Sequence, residues 1–279
     1  MNKRYILNGE LVAHYGGIRR DADGFFWMMG SQTPPNARHA LYQDVAIVHV
    51  RGSLEHHLTD GADSYEGILE KLEKAKAGTD GDEPKDPPAA IIQCIDSRGG
   101  VVAGLNQSVD TMQRMFPRGG IPIISYINEM AASAAYAWAC GGHEIIGPAS
   151  SITGSIGTIS TMISVVKQDE MMGVDVRLIT SGARKSDGHP HTAITDAAES
   201  AERDRVEDLA VSFINLASKA RAIPAKKIAA MQAGIFLGPK AVDAGLLDAV
   251  LSIDDVARMV SKGGGKGPLA KGNETKRMA

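Results

Sequence analysis

Short apolar runs alternate with amphipathic stretches along most of the chain, beginning at Asp44. Residues 45–50 are a β-branched run that predicts a strand. Between residues 65 and 77, Ile68, Leu69 and Leu72 recur on one side with Glu and Lys pairs between them, the pattern of an amphipathic helix. Residues 89–96 predict a buried strand, 101–116 a helix and 121–127 a second strand, followed by a helix of small residues around Ser133. Residues 144–146 and 174–180 are further strand signals. A long helix with one charged face is predicted over 196–220, a shorter one after Pro224 and another over 239–244. Strands alternating with helices imply right-handed crossovers and a mostly parallel sheet, with functional residues just past the strand C-termini.

The flanks lack this alternation. Residues 1–43, punctuated by Gly16-Gly17 and Pro34-Pro35, read as an N-terminal arm or small hairpin. Its apolar patch at residues 25–29 suits either core or a subunit contact. Residues 78–88 are an acidic, proline-rich loop. From Lys262 the sequence is Gly-rich and basic without apolar periodicity, and residues 262–279 are expected to be a disordered tail. The organisation is thus an arm (1–43), an α/β domain (44–261) and a tail (262–279).

With 279 residues, the chain can bury a sizeable core. Hydrophobic residues make up 43% and aromatics only 5%, so that core is built from Ala, Ile, Val, Leu and Met, which suits helices packed on a parallel sheet. A net charge of −3 gives no electrostatic footprint for nucleic acid or an anionic membrane. No apolar stretch reaches membrane-span length, and Asn8, Gly9 and Glu10 cut the first apolar run too short for a secretory signal. A soluble cytoplasmic protein without a membrane anchor is expected. Cys94 and Cys140 both lie in apolar runs and read as buried thiols rather than a disulfide or a nucleophile.

Four segments carry candidate chemistry. Asp96-Ser97-Arg98-Gly99-Gly100 follows a strand; its glycines let backbone N–H groups approach a phosphate or an oxyanion, although a plain strand-to-helix turn explains it equally well. Phosphate-loop patterns are absent. Ser133, in Ala132-Ser133-Ala134-Ala135-Tyr136, also follows a strand. Such a serine is ordinarily a helix N-cap; as a nucleophile it would gain the positive potential of the helix N-terminus and the Ala134 N–H as an oxyanion donor. The hydroxyl- and glycine-rich stretch 150–157 reads as a capped turn. Lys185, after the 174–180 strand signal, is ordinarily a solvated charge; burial, helped by Arg184, would make it a usable base. A histidine base is the alternative, with His143, His189 and His191 the nearer candidates and His14, His39, His49, His56 and His57 more remote. His189-Pro190-His191 is a possible metal pair without a further Cys/His cluster to complete it.

Together, and in this order, the four segments resemble the signal peptide peptidase A family, the Ser/Lys serine peptidases of the crotonase-like Clp protease superfamily. The matching motifs are Gly99-Gly100, Ala132-Ser133-Ala134-Ala135-Tyr136, Thr153-Gly154-Ser155-Ile156-Gly157 and Gly182-Ala183-Arg184-Lys185, within a resemblance that covers about residues 44–256. It implies a crotonase-like (Clp protease-like) α/β fold of repeated ββα/βαβ units with a mostly parallel sheet and packed helices. It implies Ser133 as nucleophile, Lys185 as general base and Ser155 as the hydroxyl that orients the lysine. The oxyanion donors would be the N–H groups of Ala134 and Gly100, with Gly99 as the alternative; no metal or cofactor is implied. Ala134 stands where the family usually has Gly, and Arg98 where it usually has Pro; neither change removes an essential group. Thr158 stands where the Clp triad carries histidine, which favours lysine as the base.

Lys185-Ser186-Asp187-Gly188-His189-Pro190 is similar to the phage head maturation branch, whose lysine is followed by x-D-G-x-P. That branch implies a soluble, ring-like homo-oligomer acting on scaffold or other head polypeptides in the host cytoplasm or procapsid interior, with the basic tail as a self-cleavage segment, a shell contact or an inert end. The alternatives are a soluble signal-peptide-peptidase-like protease, a crotonase-like acyl-CoA enzyme and an inactive structural subunit.

Overall fold

The structure, a computed structural model, describes residues 44–57, 63–80, 83–84 and 86–261, and the backbone of four short strands before them. Those four are β1 (Tyr5–Leu7), β2 (Glu10–Val12), β3 (Ile18–Arg20) and β4 (Phe26–Met28). The strands that follow are β5 (Val45–Glu55), β6 (Asp63–Ser64), β7 (Thr79–Asp80), β8 (Glu83–Pro84), β9 (Ala90–Gly100), β10 (Ile123–Ala132), β11 (Glu144–Gly147), β12 (Ile152–Gly154), β13 (Ile235–Leu237) and β14 (Ala249–Val250). The helices are α1 (Tyr65–Ala77), α2 (Leu105–Met115), α3 (Ala134–Ala139), α4 (Val166–Met172), α5 (Asp196–Arg221), α6 (Ala225–Ala229), α7 (Gly238–Asp243) and α8 (Ile253–Val260).

The chain divides into two compact units. Residues 1–156 and 216–279 form the first, and residues 157–215 the second. The first is built on one sheet in the order β13-β12-β10-β9-β5-β4-β3, with β6 beside β5 and with β11 and then β14 continuing from β10. Pairings β5–β9, β9–β10, β10–β11 and β10–β12 are parallel, while β12–β13, β3–β4 and β4–β5 are antiparallel. This is the mostly parallel sheet with packed helices that the alternating pattern predicts. The arm contributes two short hairpins, β1–β2 and β3–β4, and Phe26 in the second pairs with Ile47 of β5.

Residues 45–50 and 90–95 are buried throughout, His49 and Gln93 included, because the sheet is covered on both faces. One face packs Val45, Ile47, Ile92, Cys94, Ile124, Tyr126 and Ile146 against Val256 and Ala257 of α8. On the other, α1 lies on β5 and α3 on β9 and β10. Helix α1 has the ends its sequence calls for: the Ser64 hydroxyl accepts from Gly67 N–H at 3.0 Å, and Gly78 closes it in the left-handed conformation. Burial pushes the Cys94 and Cys140 thiols up to about 12, which makes them inert.

Several elements differ from expectation. Strand β9 continues through Gly99 and Gly100, so the Gly-Gly pair is a strand end held by β5 (Ser53 opposite Gly99, Leu54 opposite Gly100) rather than a free turn. The ladders slip between Arg51 and Ser53 and between Ile127 and Ala131, irregularities that re-aim the strand ends. Part of the hydroxyl-rich stretch is β12, recruited by the second half of β10. Residues 174–180 join no ladder among the described residues, and Val174, Val176 and Leu178 are exposed; an alternating pattern makes a strand only where a neighbour completes its hydrogen bonds. The expected single domain at 44–261 spans both units. The tail at 262–279 lies outside the described residues.

Candidate active site

Ser133 sits at the junction of β10 and α3 with φ 52° and ψ −129°. Positive φ is unfavourable for a side chain with a Cβ and costs about 1–3 kcal/mol, so the surroundings must impose it. The ordinary explanation for a serine here fails, because its hydroxyl makes no cap hydrogen bond to the helix. Ser133 N–H donates to Gly154 O at 2.9 Å, which ties the serine to the end of β12. Gly99, at φ +116°, lies directly alongside. A Cβ there would sit 2.8 Å from Ser133 Cβ, 2.9 Å from Ala132 O and 3.0 Å from Ala134 N. At Gly100 the obstruction is β5, since a Cβ would lie 1.9 Å from Leu54 O. The two glycines therefore answer different close approaches.

Their N–H groups are also unequal. Gly99 N–H donates to Ser97 Oγ at 3.1 Å, and that hydroxyl donates to Gly52 O at 2.6 Å. Ser97 thus occupies the Gly99 donor and pins the strand end to β5. Ala134 N–H belongs to the first turn of α3, where helix geometry supplies no acceptor. Arg98, in the place of the usual proline, is exposed.

A buried polar network fixes α3. Trp138 Nε1–H donates to Gln93 Oε1 at 2.8 Å, Gln93 Nε2–H donates to Ser125 Oγ at 3.3 Å, and Ser125 Oγ–H donates to Ala139 O at 2.8 Å. Tyr136 Oη–H donates to Leu246 O at 3.0 Å, and the Trp138 ring stacks on Tyr65 at 5.7 Å. All six residues of α3 are buried. Ser155, half-buried, follows β12 and shares the positive φ of Ser133, 52°. Its N–H donates to Gly234 O at 2.9 Å, and the Gly154 Cβ position would meet that same carbonyl at 2.4 Å. Three of the four motifs, those carrying Gly99-Gly100, Ser133 and Ser155, therefore belong to the first unit and meet around the end of β10.

Lys185 belongs to the second unit, in a polar turn where its N–H donates to Gly182 O at 3.0 Å. Its side chain is exposed, so this turn does not provide the burial expected of it, and Arg184 pairs with Asp187 at 3.2 Å. The surrounding loop is pinned to α4: His191 Nδ1 meets the buried Asp169 Oδ2 at 2.6 Å, and Val165 N–H donates to Pro190 O at 2.7 Å. His191 is thereby engaged in holding the loop. Thr158 Oγ–H donates to Val206 O at 2.7 Å, a bond to α5. The supporting residues Gln93, Ser97 and Asp169 escape sequence reasoning because their partners lie 45, 45 and 22 positions away.

A strained serine after a parallel strand, backed by a buried helix and facing a glycine strand end, suits a nucleophile of acyl transfer. Residues 116–265, more than half of the chain, match peptidase family S49, and the chain belongs to that family. The matched region includes Ser133, Ser155 and Lys185. The head-tail preconnector protein GP5 of Enterobacteria phage P21 is 25% identical over 254 residues, covering 88% of this chain and 49% of that protein. Capsid assembly protease C of Escherichia phage lambda is 26% identical over 229 residues, covering 80% and 50%. The chain thus spans about half the length of these relatives. Among solved structures, the 1510-N membrane-bound stomatin-specific protease matches with 18% identity and a TM-score of 0.45 over 76% of this chain and 77% of that one. No helix among the described residues is long and apolar enough to cross a membrane.

Proposed function

We propose that this chain is a serine endopeptidase in which Ser133 is the nucleophile and Lys185 the general base, acting on scaffold or other head proteins during phage capsid assembly. The observation that carries the chemical half is Ser133 itself, held at positive φ with an uncommitted cap position beside Gly99. Ser133 Oγ attacks the scissile carbonyl while Lys185 takes its proton, and the new oxyanion accepts from the N–H groups of Ala134 and Gly100. Gly100 is the better second donor because Ser97 already engages the Gly99 N–H. The tetrahedral intermediate collapses, the C–N bond breaks and Lys185 passes its proton to the departing amine. Water then attacks the acyl-enzyme and releases Ser133. Ser155 is the hydroxyl that would orient the lysine amine.

A lysine base also needs a dry environment. Since the side chain of Lys185 is exposed, substrate or a second subunit must supply it. Self-association is supported by apolar side chains exposed in the second unit, including Ile159 at 92%, Met171 at 82% and Ile179 at 98%. The head-assembly role is supported by the likeness to the two phage proteins and by the Asp187-Gly188-His189-Pro190 segment, and such a role would be carried out in the host cytoplasm or procapsid interior.

The test is co-expression with the neighbouring head and scaffold proteins, with mass spectrometry of the products. Wild type is expected to generate defined cleavages, and Ser133→Ala and Lys185→Ala to lose roughly three orders of magnitude or more of the rate while remaining folded. A fluorophosphonate should label Ser133. Full cleavage by either variant, or labelling of another serine, would overturn the assignment.

A further inference from the structure

The end of β5 and the start of α1 bring together three side chains that take no part in the proposed acyl transfer. His56 and His57 follow the last residue of β5, and Glu66 lies in the first turn of α1. One ligand atom from each of the three lies within 4.8 Å of the others. His57 Nδ1 is 2.8 Å from Glu66 Oε2, and the two imidazoles stack with centroids 4.0 Å apart and planes 26° from parallel. Stacking adjacent rings in this way sets two nitrogen donors side by side.

From this arrangement we infer a binding site for a divalent transition metal of the zinc class, formed by His56, His57 and Glu66. Two imidazole nitrogens and one carboxylate oxygen are a donor set for borderline cations such as Zn²⁺, Co²⁺ and Ni²⁺. Mg²⁺ and Ca²⁺ prefer oxygen alone. The donors differ in freedom, which suits capture of an ion from solution. His56 is half-buried and seated against Gly104, where a Cβ would stand 2.2 Å from its Cδ2 and 2.4 Å from its Nε2. Gly104, at φ +76°, is the residue that leaves room for this ring. His57 and Glu66, with side chains 69% and 54% exposed, are open to an arriving ion.

Metal here would add a further tie between β5 and α1, which already pack together. It would also brace the stretch after the Gly-Gly strand end. Leu54 accepts from Val101 N–H at 2.9 Å, Tyr65 Oη–H donates to Val101 O at 2.7 Å, and His56 packs on Gly104. Residues 101–104 are thus flanked by the neighbours of all three ligands. A metal that binds only the folded chain stabilises it by linkage, and imidazole ligands make that stabilisation weaken on acidification.

The experiment uses the full chain without an affinity tag, stripped with EDTA and titrated with Zn²⁺ against a chromophoric chelator, with thermal melts in parallel. One Zn²⁺ per chain and a raised Tm are expected. Loss of a ligand should weaken affinity at least about tenfold in His57→Ala and in Glu66→Gln. Both substitutions fall on exposed side chains, so the apo variants should melt as the apo wild type does. Millimolar Ca²⁺ or Mg²⁺ should not displace the zinc. The inference is overturned if zinc does not bind, if the His57→Ala/Glu66→Gln double variant retains wild-type affinity, or if His189→Ala/His191→Ala is what abolishes binding. None of these outcomes bears on Ser133 labelling, so the peptidase reading is tested separately.

Discussion

The segments carrying Ser133 and Lys185 are built on opposite principles. Around Ser133 the backbone is unusual and everything near it is fixed: α3 is buried, Trp138, Gln93 and Ser125 are joined by hydrogen bonds, and Gly154 O holds the serine N–H. Around Lys185 the backbone is an ordinary polar turn, the side chain is exposed, and the Asp169–His191 contact and a few backbone bonds hold the loop. A hydroxyl on a side chain as short as serine's can be aimed only by its backbone, and here the strained backbone is over-determined by packing. A lysine reaches its target through four methylenes and needs much less from its backbone.

The contrast breaks most sharply at one glycine from each region. Gly99→Ala would place a methyl within 3.0 Å of Ser133 Cβ, Ala132 O and Ala134 N, at a φ that alanine resists. On the proposed role of Ser133, displacement by such contacts should lower kcat/KM by more than about a hundredfold. Gly182→Ala meets nothing within 4 Å and should leave it within about twofold. Peptide-hydrolysis assays on the two variants check this. Equal losses would mean that the backbone on the lysine side is as tightly specified as that beside the serine.

Ion pairs should divide in the same way. Arg221 is 7% exposed and grips Asp248 through two bonds of 2.8 Å, while Asp248 Oδ2 also accepts from Ile145 N–H at 2.7 Å. Removing one partner strands the other, so Arg221→Ala or Asp248→Ala should cost about 3–5 kcal/mol. The Arg184–Asp187 pair beside the lysine is 76% and 32% exposed, and Arg184→Ala should cost about 0–1 kcal/mol. Urea unfolding of the three variants gives both values directly.

How much of this was visible in the sequence follows from the same division. The core strands and most helices were legible because buried apolar runs and helical spacing are local signals. The proposal of Ser133 and Lys185 rests on the company of the other motifs, since each reads alone as something ordinary. The strain at Ser133 and Ser155 was not legible, because it is imposed by Gly99, Gly154 and Gly234, which come from other strands and loops. Residues 174–180 misled for the converse reason: alternation was present and a neighbouring strand was not. The role of Gln93, the polar residue within the apolar run of β9, was not legible either: it receives the Trp138 N–H.

A smaller effect is expected where the lysine loop is anchored. Asp169 is buried and bound to His191 at 2.6 Å, so Asp169→Asn should loosen the turn carrying Lys185 while leaving the sheet intact. With Lys185 as the proposed base, the expected outcome is a fall in kcat of about tenfold with little change in KM, since a positioning loss acts on the chemical step. His191→Ala should match it, and the double variant should be no worse than either single variant. A change in KM alone would place Asp169 in substrate binding.

The smallest effect sits on the Ser133 side and depends on pH. His143 is held as a neutral ring: Ile123 N–H donates to Nδ1 at 3.3 Å, and Nε2 faces Phe116 O at 2.9 Å, which only a protonated Nε2 can satisfy. Burial pushes its pKa below the usual histidine value and Arg118 adds to this, partly opposed by the bond to Phe116. A second proton on Nδ1 would point at the Ile123 N–H. Above the unfolded value of about 6.5 both states are neutral and the folded state keeps its full advantage. As pH falls below that value the unfolded chain takes up the proton first, so stability declines until the folded pKa is passed, and then the slope vanishes. Melting curves from pH 7 to pH 5 should therefore show a steeper loss of Tm for wild type than for His143→Gln, which has no proton to gain. Parallel curves would show that His143 titrates alike in both states.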